Sequence, residues 1–307
     1  MSPILLFIKN SSAKASIFPV KASACALNFA VYLFVDAKEA VSLSVKIDNT
    51  NLFMQVLLSP AKTMTGTSKI KAPHGTTPRF EREANEIALQ MTQFSAEEFA
   101  KILKLSPKLT AECYQRYLEF HSEDNHPLQA LLAYTGVVFK NIQPKDFTAD
   151  DFLFAQDHLR FVSGCYGLLR PLDLIKPYRM EFEVKIPELG GGNMYAFWRD
   201  KQTATLINDV KADDGILLNV ASMDVQPAFH WKEVEDAVRV ITPECKVWKN
   251  GEAKTIVIYA KMFRGQMSRF IIKNRITDPE ELKAFSWEGF SYKESMSEGD
   301  QWVFLQE

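Results

Sequence analysis

The sequence predicts an α+β fold, helix-rich in its first half, with strands of a mixed sheet and further helices in its second. Residues 79–158 carry apolar side chains at helical spacing, broken by capping signals. From residue 216 onward, short apolar runs bounded by turn residues read as strands. Between two such runs stands Asn250-Gly251, a pair suited to a tight hairpin. At 307 residues the chain is long enough for one large domain or two ordinary ones.

Residues 1–53 read as an N-terminal extension outside the natural fold. The apolar run Ala24–Val35 is too short to span a bilayer comfortably and lies too far from the start for a secretory signal. Met54 is the expected natural start, because Val56–Ser59 reads as a buried strand directly after it. Ser59 and Lys62 follow that strand's carboxyl end, where loops face a crevice. They could grip a phosphate; equally, Ser59 could cap the next turn and Lys62 lie in solvent. Thr65–Pro78 is turn-rich and reads as a surface loop.

Arg79–Phe94 places Phe80, Ala84, Ile87 and Met91 on one helical face. Ser95 with Glu98 is a capping box for a second helix, and Ser106-Pro107 opens a third. Pro127–Tyr134 is a fourth helical segment, and Thr148 to Asp151 caps the helix that runs toward His158. Glu181–Ile186 alternates like a strand, and Gly190-Gly191-Gly192 is a loop without the phosphate-loop pattern. Met194–Val210 is a helix. Ile216–Ser222, Ala237–Thr242, Cys245–Lys249 and Lys254–Ala260 read as strands, Met262–Ile276 as a helix, and Phe290–Lys293 and Trp302–Gln306 as closing strands.

Net charge is −2, so any attraction to nucleic acid must be local. Residues 246–275 hold eight Lys and Arg against Glu252 alone, and residues 278–307 hold two lysines against eight acids. The four cysteines (Cys25, Cys113, Cys165, Cys245) form no CxxC and the five histidines no ligand set, which argues against a protein-bound metal and for reduced thiols. Lys261, Arg264, Gly265, Ser268 and Arg269 recur at helical spacing. Gly265 costs that helix about 1 kcal/mol relative to alanine, which suggests a close approach there.

The stretch Asp157–Arg179 joins an apolar helix pattern to a turn bounded by Gly164 and Gly167. A second short helical pattern follows, opened by Pro171 and closed before Pro177. With Arg160, Arg170, Lys176 and Arg179 interleaved, its outline is that of a phosphate-backbone reader. The alternative is a corner whose arginines pair with Asp157, Asp173, Glu181 and Glu183.

Leu58-Ser59-Pro60-Ala61-Lys62-Thr63, His158-Leu159-Arg160, Ser163 through Asp173, Pro177 through Glu181, Tyr195-Ala196-Phe197-Trp198, Asn219-Val220-Ala221-Ser222 and Tyr259 through Ile272 together resemble the YaaA (peroxide stress protein) family. The resemblance runs from Met54 nearly to the end. It implies a cytoplasmic protein of the response to hydroperoxide, with a single α+β domain over 54–307 and a basic cleft. It also implies binding of double-stranded DNA with little sequence preference through a helix-hairpin-helix-like element, helping to limit iron-dependent damage. Lys62, Arg160, Arg170, Arg179, Lys261, Arg264 and Arg269 would form the cleft; Gly164, Tyr166 and Gly167 would form the bend that meets phosphate. The alternative is an enzyme acting on a nucleotide or damaged base, with Ser59, Lys62, Asp173 and Glu181 as its polar groups. Two departures stand out. Gly164 and Gly167 are three apart where the usual hairpin has glycines two apart, and Met223-Asp224-Val225 replaces the family's acidic-tyrosine pair. No catalytic residue, cofactor, metal or membrane contact is assigned.

Overall fold

In the computed structural model the described residues are 30–35, 39–44 and 54–307. β1 (Ala30–Val35) and β2 (Glu39–Ser44) pair antiparallel as a sheet of their own. The remainder of residues 1–53, Cys25 included, lies outside the described residues, and with it the expectation of an extension.

β3 (Gln55–Leu58) is buried at all four positions, with Val56, Leu57 and Leu58 at 0% exposure. A fully buried strand needs apolar residues on both faces, and this run supplies them. Removing one such side chain to alanine costs about 2–5 kcal/mol. A helical array then fills the space before the next strand: α1 (Glu81–Met91), α2 (Ala96–Leu103) and α3 (Pro107–Leu118). The two-residue β4 (Leu128–Gln129), α4 (Ala130–Ala133), α5 (Val137–Ile142) and α6 (Ala149–His158) follow. The predicted capping boxes are present at Ser95/Glu98 and Thr148/Asp151.

α6 gives way at Leu159 to β5 (Leu159–Ser163), which turns back as β6 (Gly167–Leu169); β7 (Leu174–Ile175) pairs with β4. The helix-hairpin-helix expected over Asp157–Arg179 is therefore a β-hairpin, and no helix lies between Pro171 and Pro177. Leu159 through Leu169 is buried throughout, which satisfies a central strand better than a one-faced helix. Glu181–Ile186 is likewise irregular rather than a strand.

α7 (Met194–Ala212) leads to β8 (Ile216–Asn219), and α8 (Trp231–Ala237) to β9 (Arg239–Lys249). β10 (Glu252–Lys254) returns on β9 through Asn250 and Gly251, both at positive φ, as expected of that pair. α9 (Val257–Asn274) begins where a strand over Lys254–Ala260 was expected. β11 (Ser286–Trp287), β12 (Phe290–Tyr292) and β13 (Gln301–Gln306) close the domain.

The nine-stranded sheet has the order β11-β12-β13-β9-β8-β3-β5-β6, with β10 also on β9. β5, β3, β8, β9 and β13 are mutually parallel, and β6, β10, β11 and β12 are antiparallel additions. The sheet is mixed, as predicted. Its parallel core makes the class α/β rather than α+β, because parallel neighbours require crossovers and the helices supply them. All carboxyl ends of the parallel strands open on one edge, where ligand crevices form.

α9 packs across α5 with almost no gap. A Cβ at Gly265 would lie 2.3 Å from the Val138 carbonyl oxygen and 2.6 Å from Asn141 Cβ. The close approach read from an isolated helical glycine is there.

Candidate functional site

The carboxyl-end edge gathers residues distant in sequence. Ser59, after β3, accepts a hydrogen bond from the Ser222 backbone N–H beyond β8 at 2.8 Å. Lys62 sits 3.0 Å from the Glu181 carboxylate, which Arg179 meets at 2.7 Å on its other oxygen. Arg179 also donates to the Lys62 carbonyl at 3.0 Å, so the three form one small network. Tyr195 opens α7 beside it and donates to the Asp224 carbonyl at 2.8 Å. Burial, together with Glu183 and Asp224, pushes the Tyr195 phenol up to about 12. Lys62 and Glu181 thus meet in one network with Arg179, whereas Ser59 bonds to Ser222. Asp173 does not join them.

Asp173 is fully buried and accepts from Arg170 Nη2 at 2.9 Å, the Arg170 backbone N–H at 2.8 Å and Thr76 Oγ1 at 2.7 Å. Arg170 and Asp173 lock the loop after β6, the pairing alternative of the sequence reading. Arg160 is 5% exposed and donates to Asp209 at 2.6 Å; Arg79 reaches the same carboxylate at 2.7 Å. Its place is the interior, at the opposite end of β5. Arg269 pairs with Asp146 and donates to the carbonyls of Ile142 and Gln143, tying α9 to the segment after α5.

The bend at Gly164, Tyr166 and Gly167 is buried and packed against α7. A Cβ at Gly167 would meet the Trp198 ring at 2.6 Å, and Trp198 Nε1 donates to the Gly164 carbonyl at 2.8 Å. The Tyr166 hydroxyl accepts from the Lys176 N–H at 3.0 Å. The Cys165 and Tyr166 backbone amides donate to the Ser163 hydroxyl at 3.2 and 2.9 Å.

Two cations of the predicted set differ. Lys261 is exposed and makes no ion pair among the described residues. Arg264 is half-buried in a cavity of about 590 Å³ and likewise has no carboxylate within ion-pair distance among the described residues. Burial pulls its guanidinium below its usual value, opposed by the Asp224 carboxylate.

A second surface was not singled out from the sequence. α2 ends at Lys104 in the left-handed conformation, and two residues later α3 begins at Pro107. Lys101, Lys104 and Lys108 around this hairpin are exposed and form no ion pair among the described residues. Ser106 precedes α3 without capping it through its side chain. The first backbone amides of α3 are therefore free of that partner, a feature suited to anions. The signal was legible: a capping box, then Ser-Pro, with three lysines within eight residues.

Among the described residues no group of three or more His, Cys, Asp or Glu could hold a metal ion, and no helix is long and apolar enough to cross a membrane.

Fold and surfaces together define an α/β protein with a polar network at the carboxyl edge of its parallel strands and a lysine-bearing helix hairpin. The profile described as "Peroxide stress protein YaaA" matches residues 54–296, and the chain belongs to that family. It is 78% identical over 254 residues to a "UPF0246 protein" of Parabacteroides distasonis, covering 83% of this chain and 100% of the relative. A "UPF0246 protein" of Bacteroides thetaiotaomicron is 55% identical over 252 residues, covering 82% and 98%. One of Porphyromonas gingivalis is 40% identical over 257 residues, covering 83% and 100%. Membership of this family supports a role in oxidative stress.

Proposed function

We propose that the protein serves the peroxide response by binding double-stranded DNA, with little sequence preference, through the α2–α3 hairpin. One observation carries this reading: Lys101, Lys104 and Lys108 surround the uncapped start of α3 and are not neutralised by any carboxylate among the described residues. Most of the arginines first assigned to a basic cleft are ion-paired, so the proposed contact moves from the cleft to the hairpin. Lysines and helix-terminal amides contact phosphate without reading bases. Coating DNA in this way would limit iron-dependent damage without the protein binding iron.

The test is duplex binding over a salt series. Each phosphate neutralised contributes about −0.9 to the slope of log K against log salt. Replacing all three lysines by alanine is expected to flatten the slope by roughly 3. An unchanged affinity and slope in the triple variant would refute the hairpin contact. A second reading, an enzyme acting on a nucleotide, is favoured by the Lys62–Glu181–Arg179 network beside Tyr195 at the carboxyl edge. Nucleotide turnover by the purified chain that is lost in Glu181→Gln would support it.

A further inference from the structure

We propose that the cavity beneath Arg264 is a binding site for a small phosphate monoester carrying a planar ring, of the nucleoside monophosphate class. The cavity runs along β9 between α8 and α9. Its volume of about 590 Å³ falls within the range of small-molecule sites, roughly 300–1,000 Å³. Two of its three acids are paired with cations within the chain, and the third is held by an indole. Glu244 pairs with Lys246 at 2.8 Å, Asp300 pairs with Arg239 at 2.7 Å, and Glu235 accepts from Trp231 Nε1 at 2.8 Å. Arg239, the other cation on the wall, is thereby spent.

The lining cation without an ion pair among the described residues is Arg264, whose guanidinium is a planar fork of donors matched to phosphate oxygens. Asn219 adds a second donor. It is 2% exposed and lines the same cavity, and its side-chain oxygen accepts from the Ala221 N–H at 3.2 Å. No hydrogen bond among the described residues uses its NH2 group, which leaves that group to a ligand. Donors from two directions suit a phosphate, which offers more acceptor oxygens than a carboxylate. Trp231 supplies the wall for the ring: its indole is held by Glu235 and packs edge-on against Phe229 at 6.2 Å. Val240 and Thr242 line the floor between.

The site shares no residue with the α2–α3 hairpin, and it stands on binding alone, whether or not turnover occurs. The test is calorimetric titration of the whole chain with AMP, GMP, CMP and UMP, with the nucleosides and inorganic phosphate run in parallel. At least one monophosphate should bind more tightly than its nucleoside, and Arg264→Gln should weaken it roughly tenfold to hundredfold. Trp231→Leu should weaken the monophosphate while leaving inorganic phosphate unchanged. Arg264→Lys keeps the charge and loses the fork, so a several-fold weakening is expected even if the glutamine variant fails to fold. Failure of all four monophosphates to bind at millimolar concentration would overturn the site. So would equal binding by wild type and Arg264→Lys. The hairpin triple-lysine variant should bind the monophosphate normally; loss of binding there would also count against this cavity.

Discussion

Replacing Gly265 by alanine sets two effects against each other. In an isolated helix the change stabilises by about 1 kcal/mol, because glycine loses more backbone freedom on ordering. In this protein the new methyl would stand 2.3 Å from the Val138 carbonyl oxygen, 3.1 Å from its carbonyl carbon and 2.6 Å from Asn141 Cβ. Two of those atoms are α5 backbone and cannot swing aside. α5 and α9 must separate, disturbing the Gln266–Asn141 bond of 3.1 Å and the Arg269 bonds to Ile142 and Gln143. Forced overpacking of this kind costs about 1–3 kcal/mol, occasionally more, and backbone contact places it at the upper end. The net expectation is a loss of about 2 kcal/mol, or a fall of about 4–8 °C in Tm for a domain of this size. Thermal and urea melts of the two proteins measure it. A variant melting at or above the parent would refute the claim that contact with α5 governs this position.

Other outcomes follow from the buried charges and thiols. Arg160→Ala leaves the Asp209 carboxylate with Arg79 as its remaining partner; a stability loss of about 3 kcal/mol in urea is expected, with duplex affinity of the folded protein unchanged. Burial opposes ionisation of Asp151, but Lys273, the Thr148 N–H and Arg275 prevail and hold it down to about 2. Its contribution is complete above the unfolded value near 3.8 and lost as pH falls from there through about 2, a step that Asp151→Asn should remove from the acid melt. Burial, with Arg160 and Arg275 nearby, lowers His158 from 6.5 to about 4, so its neutral form stabilises fully above 6.5 and that stability is lost between 6.5 and 4. The size is about 3 kcal/mol, read as the difference between parent and His158→Gln melts across that window. Burial also pushes the Cys245 thiol up to about 12 and raises Cys113 and Cys165. These three should resist alkylation at pH 8 until the protein is denatured; rapid labelling of any one in the native state would contradict their burial.

Local signals in the sequence proved reliable where the physics is local. The Ser95/Glu98 and Thr148/Asp151 boxes and the Asn250-Gly251 turn each depend on neighbours a few residues away, and each is realised; Gly265 marked a close approach whose partner, α5, lies far off in sequence. Leu159–Leu169 failed because a continuous apolar run suits a buried strand or a buried helix, and only its pairing with β3 decides. Lys254–Ala260 failed for a related reason: its apolar residues suit a strand, yet the helix starts at Val257. Of the polar candidates Ser59, Lys62, Asp173 and Glu181, Lys62 and Glu181 pair directly and Ser59 bonds elsewhere, to Ser222. Asp173 was not separable from them, since its partner Thr76 lies nearly a hundred positions earlier. The pairing alternative named Asp173 and Glu181, and they do neutralise Arg170 and Arg179; the partners of Arg160 and Arg269, Asp209 and Asp146, lie 49 and 123 positions away and carry no local signal.

The position of β3 also bears on how the chain acquires its structure. This four-residue strand bonds β5 and β8, which lie about 100 and 160 residues further along. It therefore cannot be satisfied until most of the polypeptide exists. Topologies of such long reach fold slowly, because loop closure must come before its reward. In the interval Val56-Leu57-Leu58 is an open, uncharged adhesive segment, and refolding yield should fall steeply as protein concentration rises.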